Sequence, residues 1–292
     1  MVRGNHHRGR LPRNELNVDP VPLPDDRAAR PMLVALFGEL ALHRRPDSVA
    51  ELSQSAFGLF YARSAALGWL TPAVEGATGG LWGMNYADAL PTSGPQPQRA
   101  AWFQVVVTDL LPGGLLPVQP FLSCAGDTVA RLGTLQLAAV QVQVPERDAP
   151  IPGQPASAEG LEMASPLVAS RHWFDDCDPQ KRAPVRVTVD GWGDPSFRAA
   201  AAAIVHAVRD ITQDVFSCDS YSLSDDDHLV LQPDPFEFQL GTVHHRVTFR
   251  GTLAEWSLDA VGWLAAFLSD VSSRQGITTP LMITTELCVV PH

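Results

Sequence analysis

Lysine is all but missing from this chain: of its 21 basic residues, only Lys181 is a lysine. Acidic residues number 32, and the formal net charge is −11 at pH 7. Phosphate backbones are held by clustered Lys and Arg, so this balance argues against nucleic acid as a main partner. The preference for Arg, with abundant Ala, Gly and Pro, fits a GC-rich bacterial genome and says more about codons than chemistry. Cysteine is scarce too. Cys124, Cys177, Cys218 and Cys288 lie far apart and make no C-x-x-C pair. That spacing fits small thiols in a reducing cytosol better than a disulfide framework or a structural zinc site. Long apolar runs are absent as well. Met32 to Leu42 contains Glu39 and falls far short of a bilayer span. The basic start has no apolar segment close behind it, so a secretory signal is not expected. The expectation is a cytoplasmic protein without a membrane partner.

Catalytic signatures are missing with equal consistency. There is no Walker A motif, no G-x-S-x-G elbow and no H-E-x-x-H. Gly191-Trp192-Gly193 offers one G-x-G, but Ser196 stands where a third glycine belongs and Asp194 repels a pyrophosphate. No nucleotide cofactor is expected. His172 to Asp178 and Asp225 to His228 contain metal-ligating residue types. Neighbours in one loop seldom converge on one ion, so both read as polar loops and no metal is expected.

What is present is globular: 45% hydrophobic and 18% charged residues. Val243 to Cys288 gives the clearest folding signal. Arg246 to Arg250 alternates with period two, as a half-buried strand does. Thr252-Leu253-Ala254-Glu255 has the form of a capping box. Val261, Leu264, Phe267, Leu268 and Val271 follow at helical spacing, Gly276 suits a helix C-terminus, and Leu281, Ile283 and Leu287 alternate again. Upstream, Val185, Val187 and Val189 form a strand, and Asp194-Pro195 opens a helix. Tyr221 to Leu231 returns as a strand or hairpin around the acidic turn Ser224 to Asp227. Residues 184–292 therefore read as a ferredoxin-like half, β-α-β-β-α-β.

The order repeats earlier: strand or helix 32–42, helix 47–67 capped by Asp47 or Ser48, strand 79–90, strand 101–111, a short helix near 126–132, and strand 134–144. The phase of the last strand slips near Ala138-Ala139, which a bulge or burial on both faces explains. Residues 1–30 read as a disordered arm, 31–145 as a first α+β half, and 146–183 as a Pro-rich linker or covering loop. The predicted fold is α+β, a duplication of a ferredoxin-like β-α-β-β-α-β unit with two antiparallel sheets and helices on one face.

Alternation also predicts a site. If the valines of 185–189 face helices, Arg186, Thr188, Asp190, Arg246, Thr248, Arg250, Met282, Thr284 and Glu286 share the opposite face. Arginine's planar fork suits a carboxylate, phosphate or sulfate. Arg186, Arg246 and Arg250 are therefore candidate substrate-binding residues, and Asp190 and Glu286 candidate acid–base groups. The same pattern also serves a solvated face with cross-strand ion pairs. Two functions follow. One is an enzyme of isomerase, cyclase or lyase type acting on a small anionic molecule in a cleft between two sheets. The alternative is a non-catalytic interaction module (adaptor, immunity-type or assembly component) binding another protein. A homo-oligomer is compatible with either.

Overall fold

The computed structural model describes residues 31–44, 48–72, 79–89, 97–111, 114–147, 165–211, 213–223 and 244–288. The arm expected over 1–30, Asp47 as a cap, residues 148–164 of the linker and the turn Ser224 to Asp227 lie outside these residues. The first six elements are β1 (Pro31–Leu42), α1 (Val49–Ala66), β2 (Trp82–Asp88), β3 (Arg99–Val107), α2 (Val118–Leu132) and β4 (Gly133–Val144). A short helix α3 (Ser165–Arg171) and two 3-10 turns follow. Then come β5 (Ala183–Asp190), α4 (Pro195–Asp210), β6 (Phe216–Ser222), β7 (Arg246–Leu253), α5 (Leu258–Arg274) and β8 (Leu281–Leu287).

The fold is mixed α+β, built on one antiparallel sheet of eight strands in the order β2-β3-β1-β4-β8-β5-β7-β6. This corrects the expectation of two sheets facing each other across a cleft. The physical reason is the pairing of β4 with β8, where Ala139 to Val144 align with Glu286 to Leu281. Two strands that would each be an exposed edge satisfy one another's backbone groups instead. The buried sides of α1, α2, α4 and α5 and the inward valines of the strands merge into one core. Val185, Val187, Val189, Val247, Phe249, Leu281 and Ile283 all belong to it.

Helix α5 is buried on nearly every side from Ala260 to Ser272. Helix α2 lies against it closely enough that a Cβ on Gly262 would stand 3.1 Å from Gln119 Cα. Across the same contact, Ser123 donates to Asp259 at 2.7 Å. Helix α3 covers another side, where the Trp263 indole donates to the Leu167 carbonyl at 3.1 Å.

Three local expectations need correction. The expected capping box at Thr252 does not form, because β7 stays paired with β5 through Leu253. Ser257 caps α5 instead, accepting from the Ala260 N–H at 3.1 Å. Helix α2 begins eight residues earlier than the pattern near Gly126 indicates. Pro120 is tolerated because first-turn N–H groups have no partner inside the helix. Strand β6 runs earlier than the expected Tyr221 to Leu231, and 224–231 lie outside the described residues. The phase slip in β4 is a bulge: Phe37 pairs with Ala139 and Gly38 with Leu137, which leaves Ala138 unpaired. Gly38 has φ +151, and a Cβ there would collide with the Gln136 carbonyl. No helix among the described residues is long and apolar enough to cross a membrane.

Candidate functional site

The sheet face turned away from the helices carries the predicted residues. Backbone register fixes their neighbours, since directly paired residues in an antiparallel sheet project to the same side. Arg186 pairs with Arg250 on β7 and with Glu286 on β8. Thr188 pairs with Thr248 and Thr284, and Asp190 with Arg246 and Met282. Three parallel rows result. An arginine–glutamate row and an aspartate–arginine row flank a row of threonines, and the outer two stand four residues, about 13 Å, apart.

Side chains sort these charges into two groups. Arg186 Nε donates to Glu286 Oε2 at 2.6 Å. Arg250 is exposed and directly opposite Arg186. Like charges facing each other across strands repel, and Glu286 offsets only one of them. The three rows hold three arginines and two carboxylates. At the other end, Asp190 is 2% exposed. Its Oδ2 accepts from Arg246 Nε and pairs with His244 Nδ1, both at 2.8 Å. Its Oδ1 accepts from the Trp192 backbone N–H at 2.9 Å.

The sequence places Asp190 at the end of β5, where Gly191-Trp192-Gly193 turns the chain into α4. Trp192 is the one non-glycine residue with positive φ among the described residues, at +54. A bulky side chain in that region stores strain of order 1–3 kcal/mol. The strained turn sets the indole 6.3 Å from the His244 ring. It also leaves the indole Nε1 buried without a hydrogen-bond partner among the described residues. Asp194 then caps α4 through the Ser196 N–H at 2.8 Å and accepts from Thr279 Oγ1 at 2.7 Å. Burial works to raise its pKa, yet the bonds from Thr279 and Ser196 prevail and hold it below the ordinary value.

The arrangement brings Arg186 to Glu286 and Arg246 to Asp190, while Arg250 has no partner among the described residues. From sequence, His244 and His245 straddle the strand entrance, and a histidine there reads as structural more often than catalytic. His244 flanks the β7 strand whose alternation was legible, but its partner became visible only once Asp190 was seen beside the start of that strand. An aspartate at Nδ1 orients the ring and turns Nε2 away from the carboxylate, the orientation that a positioned histidine has in an acid–base site. Gln141 on β4, opposite Thr284, was also missed, because its strand belongs to the other half of the chain.

The other polar segment does not gather into a metal centre. His172 pairs with Asp175 at 2.8 Å, and Cys177 points to Glu255 at 3.7 Å. Burial and the nearby Glu255 raise the Cys177 thiol above its ordinary value. Among the described residues no three His, Cys, Asp or Glu side chains are grouped to hold an ion. Asp225 to His228 lie outside the described residues. No protein-family model matches the chain, and neither does any curated protein or any solved structure.

Proposed function

We propose that the chain is an acid–base enzyme of the bacterial cytosol, acting on an anionic organic molecule laid along the polar face of the sheet. The fold beneath it is a duplication of a ferredoxin-like β-α-β-β-α-β unit. Supporting that origin, the strands of each half follow the order fourth, first, third, second. With one sheet, the site lies on one face of that sheet and not in a cleft between two sheets.

The observation that carries the function is the buried Asp190 holding His244 by Nδ1. In this reading His244 Nε2 moves the proton and Asp190 is a positioning residue. Arg246, on the same carboxylate oxygen, sets the local field. Arg250 receives the anionic end of the substrate, and Glu286 neutralises Arg186. A molecule reaching from Arg250 to His244 must be extended, because the charged rows between them are already about 13 Å apart. Isomerisation, cyclisation or elimination fits best, since each requires only proton transfer in a shaped site.

The test is thermal unfolding of the wild type, Arg250→Ala and His244→Gln with elongated carboxylates and phosphate esters. A compound at about 100 times its Kd stabilises the wild type by roughly 2.7 kcal/mol. Arg250→Ala should lose that response. His244→Gln should keep it but lose conversion of the bound compound, followed by mass spectrometry. If no anion stabilises the wild type, the enzyme reading fails.

A second reading, the interaction module, draws on Trp173. Its indole is 71% exposed at the 3-10 turn His172–Phe174, an unusual place for so large a ring. Loss of a co-purifying partner on Trp173→Ala, with the anion screen blank, would favour it.

A further inference from the structure

Between the two charged rows runs a third that the acid–base reading does not use. Gln141, Thr284, Thr188 and Thr248 lie side by side on β4, β8, β5 and β7, each in register with the next. They are 4, 1, 3 and 2% exposed respectively. Thr188 and Thr248 satisfy each other, with their hydroxyls 3.2 Å apart. Gln141 Nε2 and Thr284 Oγ1 do not: each is buried and has no hydrogen-bond partner among the described residues.

Buried polar groups are nearly always paired, because an unmade bond forfeits the water left behind with nothing in exchange. Two orphans directly opposite one another are rarer still. They sit at the β4·β8 seam, the line along which the two halves of the sheet join. The pairs on either side are each half apolar: Ala139 stands opposite Glu286, and Met282 opposite Gln143. Nothing at this place demands an amide and a hydroxyl for folding, since β-branched apolar residues suit a buried strand pair better.

We infer that Gln141 and Thr284 form a subsite for a carbonyl or carboxylate group, whose oxygen accepts from the Gln141 amide and the Thr284 hydroxyl. An oxygen acceptor meets both orphans at once, because an amide N–H can only donate and the hydroxyl is free to turn its proton inward. A planar carboxylate reaches two donors on neighbouring strands, which stand about 4.8 Å apart. The inference rests on the polar face being a ligand site. It adds a second point of recognition beside the line from Arg250 to His244: a carbonyl or carboxylate held at the β4·β8 seam, next to the Thr188–Thr248 pair.

The experiment uses the full chain with acetate, succinate and pyruvate as probes and chloride as the ionic-strength control. Side-chain amide resonances of the ¹⁵N-labelled protein are followed, with the Gln141 signal assigned by its loss in Gln141→Met. A carboxylate should shift that signal saturably, where chloride does not. Gln141→Met and Thr284→Val should each abolish carboxylate-induced thermal stabilisation. Both should leave the unliganded Tm unchanged or higher, since each removes an unpaired polar group.

A fall in unliganded Tm in both variants would overturn the inference, because it would assign the pair a structural bond. The absence of any saturable shift would overturn it as well and leave ordered water as the occupant. Binding that survives Gln141→Met and Thr284→Val but is lost in Arg250→Ala overturns the subsite and leaves the enzyme reading standing. Binding that requires Gln141 and Thr284, with no conversion of any compound, upholds the subsite and overturns the enzyme.

Discussion

Removing the Asp190 carboxylate is the sharpest perturbation the structure offers. In Asp190→Ala the Arg246 guanidinium, the His244 Nδ1 and the Trp192 backbone N–H all lose the acceptor they share. Breaking a buried ion pair from one side costs about 3–5 kcal/mol, because the surviving charge stays desolvated. Arg246 and His244 retain some contact with solvent, so the lower end, about 3 kcal/mol, is expected. For a chain of this size that corresponds to a fall in Tm of roughly 6 °C. The measurement is urea unfolding followed by tryptophan fluorescence, with thermal unfolding in parallel. A second substitution supplies the control. Arg246→Met in the Asp190→Ala background should recover part of the loss, since it removes the charge that Asp190 offset, and the two changes should couple strongly. If Asp190→Ala stays within about 1 kcal/mol of wild type, the cluster is a solvated surface pair. The preorganised histidine would fall with it.

Three further outcomes are expected. Gly38→Ala should lose at least about 2 kcal/mol in urea unfolding, because it places a side chain at φ +151 against the Gln136 carbonyl; wild-type stability would refute the bulge geometry. Burial pushes the Cys124 thiol up to about 11, so a thiol-specific reagent at pH 8 should leave it unmodified until the protein is unfolded. Asp194→Ala should cost about 1 kcal/mol at neutral pH as a lost helix cap. Because the native carboxyl titrates below its ordinary value of 3.8, its stabilisation is complete above that pH and disappears as pH falls through the native value. The gap between variant and wild type should therefore narrow in acid, and a gap that widens would refute the assignment.

The strand alternation made one face of the sheet readable in advance. Arg186, Thr188 and Asp190 had to lie opposite the valines, and β7 and β8 had to present Arg246, Thr248, Thr284 and Glu286 beside them. The bulge at Ala138 was likewise written in the slip of apolar positions along β4. What could not be read was anything set by distant parts of the chain meeting. The β4·β8 pairing depends on two edges 140 or so residues apart, and no local pattern announces it. The partnership of Asp190 with His244 depends on a strained turn at Trp192 and on the strand start opposite it. Capping failed for a related reason: Thr252 has the local chemistry of a cap, but the ladder with β5 outweighs it.

The place of β8 has a consequence for how the chain reaches its native state. Among the described strands it is the last in order, yet it lies in the middle of the sheet, bonded to β4 on one side and β5 on the other. During synthesis the first four strands can assemble early, but β4 must wait with its outer edge bare until residues 281–287 emerge. In that interval the nascent chain offers a ready template for pairing with another copy of itself. Such non-local closure also slows folding. The protein should therefore fold late and cooperatively, and its hazard should lie in the time before the final strand arrives.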